Sequence, residues 1–390
     1  MLHFDRLQSQ VPDPAVIEFS CACLGPWVLT LDKLLIWFRA PALAANNKVN
    51  KRHKPHTRLR AYEYRDSRIS YWGEKMNEIV NTGLLRQIDG LYQMLSHPLQ
   101  EQASSKGIKI KVTAHYLDFI RESEIVRIAL KHLVYAGDII KYFDYYFTSV
   151  VPVRFNGHKL VDYSIPKYHE IHGYDFGPIY FPSFSEPMVT TEQYLDFAKL
   201  SPGCVVLDLG AYAGLTSIMF KDIVGPTGTV IAVDADAQNV AAIEKNFRHY
   251  KQRTANDIEL IHAAVWSHCD GLEFSSEGNM GSSASQIVGG RRGDVVFVKS
   301  LTLDAIAAMK SLERLDFIKC DVEGAEAVIF ENAEMLHRLK PRIIIEPHFV
   351  GGVLTIQKCA QDLAKYGYVC KPLTQIGIDI PLLEAHPPIG

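Results

Sequence analysis

The sequence predicts an α/β protein: a doubly wound parallel sheet in the C-terminal half, preceded by a mostly helical region. Three observations predict it. From about residue 187, apolar runs alternate with longer amphipathic stretches, the rhythm of repeated strand–helix units. The first apolar run leads into a glycine-bearing loop, Val205-Val206-Leu207-Asp208-Leu209-Gly210-Ala211-Tyr212-Ala213-Gly214. A later one, Phe317-Ile318-Lys319-Cys320, runs into Asp321-Val322-Glu323-Gly324-Ala325-Glu326, an Asp-x-Glu-Gly-x-Glu spacing. In open α/β sheets, ligands lie at the carboxyl ends of the strands, and buried carboxylates there are costly unless they serve a purpose.

The elements follow in order. Residues 1–60 form an irregular segment, in which apolar Trp27–Phe38 precedes a basic cluster of Lys48, Lys51, Arg52, Lys54, Arg58 and Arg60. The favoured reading is a short helix and a solvated linker; the sharper one is peripheral membrane contact through Trp27–Arg60. Residues 61–186 form a second region with mostly helical spacing. One helix carries Trp72, Met76, Ile79, Val80 and Leu84, and another carries Ile125, Ile128, Ala129, Leu133 and Val134. Asn156-Gly157 predicts a two-residue β-hairpin between Val151–Phe155 and His158–Tyr163. Residues 142–184 are dense in Tyr and Phe, read first as packing and second as a stacking floor for a ring-shaped substrate.

Residues 187–390 carry the sheet. Strands are expected over 204–209, 229–234, 258–263, 315–320 and 342–346, with helices over 213–223, 238–250, 324–338 and 353–366. Tyr368–Lys371 and Ile378–Leu382 complete the strands. Segment 270–300, rich in Gly and Ser, breaks the rhythm. It reads as an insertion over the active face, mobile at Gly278–Gly293, with a strand at Asp294–Lys299.

Bulk properties exclude several classes. A chain of 390 residues exceeds one ordinary domain, and its 47% hydrophobic and 22% charged content is globular. A net charge of −3 gives no general attraction to nucleic acid. Seven cysteines without CxxC pairs or Cys/His metal spacing argue against a disulfide framework and fit a reducing cytoplasm. The N-terminus lacks the order of a signal peptide, and Trp27–Phe38 is too short to span a bilayer.

The first loop selects a cofactor class. A dinucleotide fingerprint requires glycine where this loop has Tyr212. What remains, Asp208-x-Gly210-x-x-x-Gly214, is the pattern of enzymes that bind S-adenosyl-L-methionine. Gly210 and Gly214 let the backbone approach the ligand, Ala211 and Tyr212 are the loop's further cofactor-binding candidates, and a helix starting near Tyr212 offers free N–H groups to a carboxylate. Asp208 takes the cofactor ammonium or orders the loop. Asp234, followed by Ala235, ends the second strand, where an acidic residue accepts ribose hydroxyls. Ala263 and Ala264 leave room for an adenine ring.

These segments resemble the FkbM family of S-adenosylmethionine-dependent methyltransferases over about residues 187–348. LDLGAYAGLTS, AVDAD, HAAVWS and VKSLTLDAI carry the resemblance, and DFIKCDVEGAE followed by PRIIIEPH is its most specific part. Tyr212 and Ala213, and Cys320 in place of an aliphatic, depart from the usual pattern. The resemblance implies a Rossmann-like class I methyltransferase sheet and methyl transfer to oxygen, commonly a hydroxyl of a sugar, glycan or polyketide-type product.

Methyl transfer needs in-line alignment, and an alcohol needs a base or a metal as the bond forms. The catalytic candidates are His348, Asp321 and Glu323. His348 is the first choice of base because its ordinary pKa lies near neutrality. Asp321 faces the cofactor or the acceptor, and Lys319 is placed to pair with a carboxylate. Glu323 has a second reading as a helix cap, and Glu326 as the partner of a cation. Asp321 with Glu346 lacks a clear third ligand, so no metal is assigned. Ser282-Ser283 has two readings, a lid over the acceptor and a flexible insertion. The competing readings are a noncatalytic Rossmann-like module that binds a partner or carbohydrate, and a nicotinamide oxidoreductase, which Tyr212 argues against.

Overall fold

A computed structural model describes residues 17–18, 97–113, 115–185, 188–276, 278, 281–288, 294–375 and 378–388. The apolar stretch Trp27–Phe38, the basic cluster and the helix expected through Trp72–Leu84 lie outside these residues. Among the described residues, no helix is long and apolar enough to cross a membrane.

The described N-terminal part is a mixed unit rather than a mostly helical one. Six strands pair in the order Ile17–Glu18, Lys109–Val112, Tyr116–Arg121, Glu124–Ala129, His158–Tyr163, Val153–Phe155. The helix expected through Ile125–Val134 is therefore a correction. Glu124–Ala129 is a strand, followed by a 3-10 turn over Leu130–Tyr135. The spacing of Ile125, Ile128 and Ala129 suits one helix face, but Ile125, Val126, Ile128 and Ala129 are all buried, on both faces of the strand. The β-branched side chains of Ile125, Val126 and Ile128 favour that setting. Across the strand pair, Arg127 donates to both carboxylate oxygens of Asp118 at 2.6 and 2.9 Å. The hairpin forms as expected, with φ of 47° at Asn156 and 83° at Gly157.

The C-terminal sheet has seven strands. In chain order they are β1 Val205–Leu209, β2 Thr229–Asp234, β3 Glu259–His262, β4 Phe317–Cys320, β5 Arg342–Ile345, β6 Val369–Gln375 and β7 Ile378–His386. Their spatial order is β3-β2-β1-β4-β5-β7-β6. The first five are parallel, and β7 pairs antiparallel with β5 and β6. Helices α1 Leu215–Val224, α2 Ala237–Thr254 and α3 Ile356–Ala364 connect them.

Alternate residues feed two cores. Val206, Phe317 and Ile344 join one, whereas Leu207, Ile318 and Ile343 join the other. The first core runs on into Leu117, Phe143, Tyr163, Phe181 and Phe184, so the N-terminal unit packs on one face of the sheet. Most of the aromatic-rich segment is thereby core.

Two further differences matter for the site. The helix expected over 324–338 is two short ones, Glu326–Ile329 and Met335–Leu339. Between them the Ala333 N–H donates to the Tyr366 hydroxyl at 2.7 Å. The insertion is a three-stranded antiparallel sheet of Ser283–Ala284, Leu272–Ser276 and Asp294–Val298. Of the stretch expected to be mobile, residues 278 and 281–288 are described.

Candidate active site

Strand order reverses between β1 and β4, and a crevice opens there at their carboxyl ends. Two loops form its floor. Gly210, after β1, sits so close to β4 that a Cβ there would lie 1.6 Å from the Asp321 carbonyl oxygen. Its φ of 75° also suits glycine. At Gly214 (φ 78°) a Cβ would meet the Phe247 ring at 2.6 Å. α1 begins at Leu215, later than the sequence suggests, because Gly214 takes a left-handed conformation as its N-cap.

A cleft open to solvent lies above these loops. Gly210, Tyr212, Asp234, Ala235, Ala263, Ala264 and Asp321 all line it. Asp208, Ala211 and Gly214 do not; they lie behind the lining. Asp208 is fully buried, accepts a hydrogen bond from the Ser217 hydroxyl and lies 3.6 Å from Lys319 Nζ. These contacts tie it to the first turn of α1 and to Lys319. Lys319, also buried, donates to the Gly210 carbonyl at 2.7 Å and approaches Asp321 at 3.2 Å. One ammonium thus ties the β1 loop to the β4 loop.

Asp234 accepts the Tyr212 N–H at 2.8 Å and the Asp236 N–H at 2.9 Å, one on each oxygen. Each oxygen keeps lone-pair capacity. Burial pushes its pKa up to about 7. Val233, Asn239, Trp266 and Phe274 add walls that the sequence reading did not single out.

The insertion is fastened at both edges of the cleft. Asp236, fully buried, caps α2 through the N–H groups of Gln238 and Asn239. Its other oxygen accepts Ser276 Oγ at 2.8 Å, the Gly278 N–H at 3.0 Å and Ser282 Oγ at 2.7 Å. On the far side Ser283 Oγ donates to the Glu323 carbonyl at 2.7 Å. Ser282 and Ala284 line the cleft between these anchors.

At the acidic end the turn after β4 is tight, with φ of 51° at Glu323 and 102° at Gly324. It projects Asp321 and Glu323 toward His348, which follows β5. His348 Nε2 lies 3.7 Å from Asp321 Oδ1 and 3.7 Å from Glu323 Oε1. The structure therefore gathers all three expected catalytic residues.

Glu326, expected to pair with a cation, pairs with His348 and is the fully buried anchor of this group. Its Oε1 accepts the His348 N–H at 2.8 Å and the Thr355 hydroxyl at 2.9 Å, and approaches His348 Nδ1 at 3.2 Å. Its Oε2 accepts the Gly324 N–H at 2.8 Å. The signal for it was the third acid of the Asp-x-Glu-Gly-x-Glu spacing. Glu346, paired with Asp321 in the sequence reading, instead accepts the Tyr194 hydroxyl.

These neighbours set the charges. Burial opposes charge on His348, but Glu323, Glu326 and Asp321 outweigh it and raise the pKa well above the ordinary value. The neighbouring carboxylates thus favour the imidazolium form of this ring, against the ordinary value that recommended it as a base. Burial lifts Glu323 to about 8 against the pull of His348, and its side chain stays 27% exposed, so solvent moderates that rise. Burial likewise raises Glu346. On Glu326 burial acts upward, and its bond to His348 wins and holds the pKa low.

A parallel sheet in this order, with a glycine loop after β1 and an acid at the end of β2, defines a class I S-adenosyl-L-methionine-dependent methyltransferase domain. Residues 208–370 match the family model described as the methyltransferase FkbM domain. No curated protein matches the chain. Among solved structures it is similar to methyltransferase FkbM from Methylobacillus flagellatus KT, at 15% identity over 50% of this chain and 50% of that one, with a TM-score of 0.36. It is also similar to precorrin-6y C5,15-methyltransferase from Geobacter metallireducens GS-15, at 15% identity over 52% and 88%, TM-score 0.32. Fibrillarin from Aeropyrum pernix with natively bound S-adenosyl-L-methionine matches at 13% identity over 70% and 94%, TM-score 0.33.

The cleft fits that cofactor by its own chemistry. Asp234 has acceptor capacity suited to ribose hydroxyls, Ala263 and Ala264 leave space beside Trp266 and Phe274 for a flat ring, and Gly210 brings loop backbone to the cleft wall, its missing Cβ serving contact with Asp321 rather than with a ligand.

Proposed function

We propose that this domain transfers the methyl group of S-adenosyl-L-methionine to oxygen, on a hydroxyl of a sugar, glycan or glycosylated natural product. One observation carries the reading: Asp321 and Glu323 line the cofactor cleft and also face His348, so cofactor and proton-handling groups share one space. When bound, the cofactor supplies an electrophilic methyl group on a good leaving group. The residues supply the rest. Gly210 and Asp234 hold the nucleoside in place, the insertion covers it, and Asp321, Glu323 and His348 bind and activate the hydroxyl.

The test is an acceptor screen with isotope-labelled S-adenosyl-L-methionine, beginning with sugars and glycans. His348→Ala is expected to lose turnover while S-adenosylhomocysteine still binds. Full turnover in His348→Ala removes the activating role of this cluster. Cofactor binding with no transfer to any hydroxyl favours the noncatalytic module instead.

A further inference from the structure

We propose that Asp321, Glu323 and His348 form a three-ligand site for one divalent cation of the Mg²⁺ or Mn²⁺ type, which grips the acceptor hydroxyl. The inference rests on the hydroxyl-activating role given to this cluster above and states how it is performed.

The geometry comes first. One oxygen of Asp321, one of Glu323 and one nitrogen of His348 lie within 4.8 Å of one another. Two ligands about 2.2 Å from one ion, at right angles or opposite, stand about 3.1–4.4 Å apart. Both His348–carboxylate separations, 3.7 Å, fall in that range. The same separations exceed hydrogen-bond reach. Asp321, on a side chain 8% exposed, approaches Lys319 through Oδ2 at 3.2 Å and faces His348 with Oδ1. One oxygen of this mostly buried carboxylate thus faces the gap at the edge of the cleft, beyond hydrogen-bond reach of His348.

A separate observation is the setting of His348. Glu326 is not a member of the three, yet its buried carboxylate grips both the His348 N–H and Nδ1. That arrangement turns Nε2 toward the gap and fixes the ring, as outer carboxylates do for metal-ligating histidines. Glu326 also holds the Gly324 N–H, which sets the turn carrying Glu323. Two carboxylate oxygens and one imidazole, with remaining positions open toward the cleft, suit a hard or borderline divalent ion that keeps room for a substrate oxygen.

The step balances. The acceptor oxygen, bound to the cation, uses a lone pair to form the new bond to the methyl carbon. The carbon–sulfur pair leaves with sulfur, giving S-adenosylhomocysteine. The hydroxyl proton, acidified by the cation, passes to water in the open cleft. No oxidant or reductant takes part.

The full chain, stripped with EDTA and dialysed, would be titrated with Mn²⁺ while free ion is followed by electron paramagnetic resonance. One saturable site per chain is expected. Glu323→Gln and His348→Gln should each weaken it at least tenfold, with S-adenosylhomocysteine binding retained as the sign of a folded cleft. No saturable site, or unchanged affinity in both variants, overturns the proposal. Should the variants fail to bind S-adenosylhomocysteine, wild-type protein gives the answer: Mn²⁺ must broaden the proton resonances of bound S-adenosylhomocysteine, and no broadening overturns the site. Full methyl transfer by the stripped enzyme also defeats the cation while leaving the proposed reaction intact. A saturable Mn²⁺ site with no hydroxyl methylated in any screen supports the cation and defeats the reaction.

Discussion

Asp236→Asn tests whether the insertion is part of the cofactor site or merely lies near it. The side chain is fully buried and divides its work between two oxygens. One caps α2; the other accepts Ser276 Oγ, the Gly278 N–H and Ser282 Oγ within 2.7–3.0 Å. An asparagine can keep its carbonyl on the cap, so the helix loses little. Its NH₂ then faces those three donors. The serine hydroxyls can rotate and accept, but the Gly278 N–H cannot, so one buried donor is left unpaired and the charge-assisted bonds are gone. An orphaned buried donor costs about 1–3 kcal/mol, and the weakened serine bonds add roughly 1 kcal/mol, giving about 2–4 kcal/mol in all. If about 1.4 kcal/mol of that falls on the closed insertion, affinity for S-adenosylhomocysteine drops about tenfold. Urea unfolding followed by circular dichroism reads the stability term, and calorimetric titration reads the affinity. Ser276→Ala with Ser282→Ala, which spares the cap, should reproduce the affinity loss with a smaller stability loss. Affinity within twofold of wild type in both proteins would refute the idea that this junction shapes the cleft.

Other predictions follow from single contacts. Gly210→Ala places a methyl group 1.6 Å from the Asp321 carbonyl oxygen, so the two loops must separate; S-adenosylhomocysteine binding should fall at least tenfold by calorimetry. Asp234→Ala should lose cofactor affinity by a similar factor. With its pKa raised to about 7, wild-type Asp234 holds a proton below that pH and offers a full carboxylate to ribose only above it. Affinity should therefore rise between pH 6 and 8 and stay flat in Asp234→Asn. The same upward shift makes ionised Asp234 a cost to folding, so its contribution to stability falls as pH climbs above the ordinary carboxyl range. Neighbouring Asp236 adds to the shift, and His262, which faces Asp234 from β3, is the control variant for that profile. Glu326→Gln removes the charge that holds the His348 ring and leaves the Gly324, His348 and Thr355 donors competing for one carbonyl; a loss of about 2–4 kcal/mol in urea unfolding is expected.

The parallel sheet was legible because its signals are local. A buried strand flanked by turns leaves a continuous apolar run, and a loop that must let two backbones touch leaves a glycine, as at Gly210. The cleft lining was legible only where residue type announces a role. Asp234 and the alanine pair do so; Trp266 and Phe274, the latter on the insertion itself, look like ordinary core residues in the sequence. Glu124–Ala129 misled for a related reason. A strand buried on both faces loses its alternation, and its remaining apolar positions match a helical face equally well.

The acidic cluster shows where local reading stops. Asp321, Glu323 and Glu326 are near neighbours in sequence, yet they do three different things, and their order gives no hint of which does what. The difference arises from the turn. Left-handed backbone at Glu323 and Gly324 sends the Glu323 side chain toward the cleft and the Glu326 side chain back under it. At Gly324 a Cβ would meet Ile287 Cγ2 of the insertion at 2.6 Å, so the insertion and the turn fit only with glycine there. The partner that sorts the carboxylates, His348, arrives from the next strand along, and Thr355 from the segment beyond it. An acid in such a cluster acquires its role from what the neighbouring strand delivers to it. The spacing can announce that a site exists, but only the parallel pairing of β4 with β5 decides that Glu326 grips the ring while Asp321 and Glu323 face the cleft.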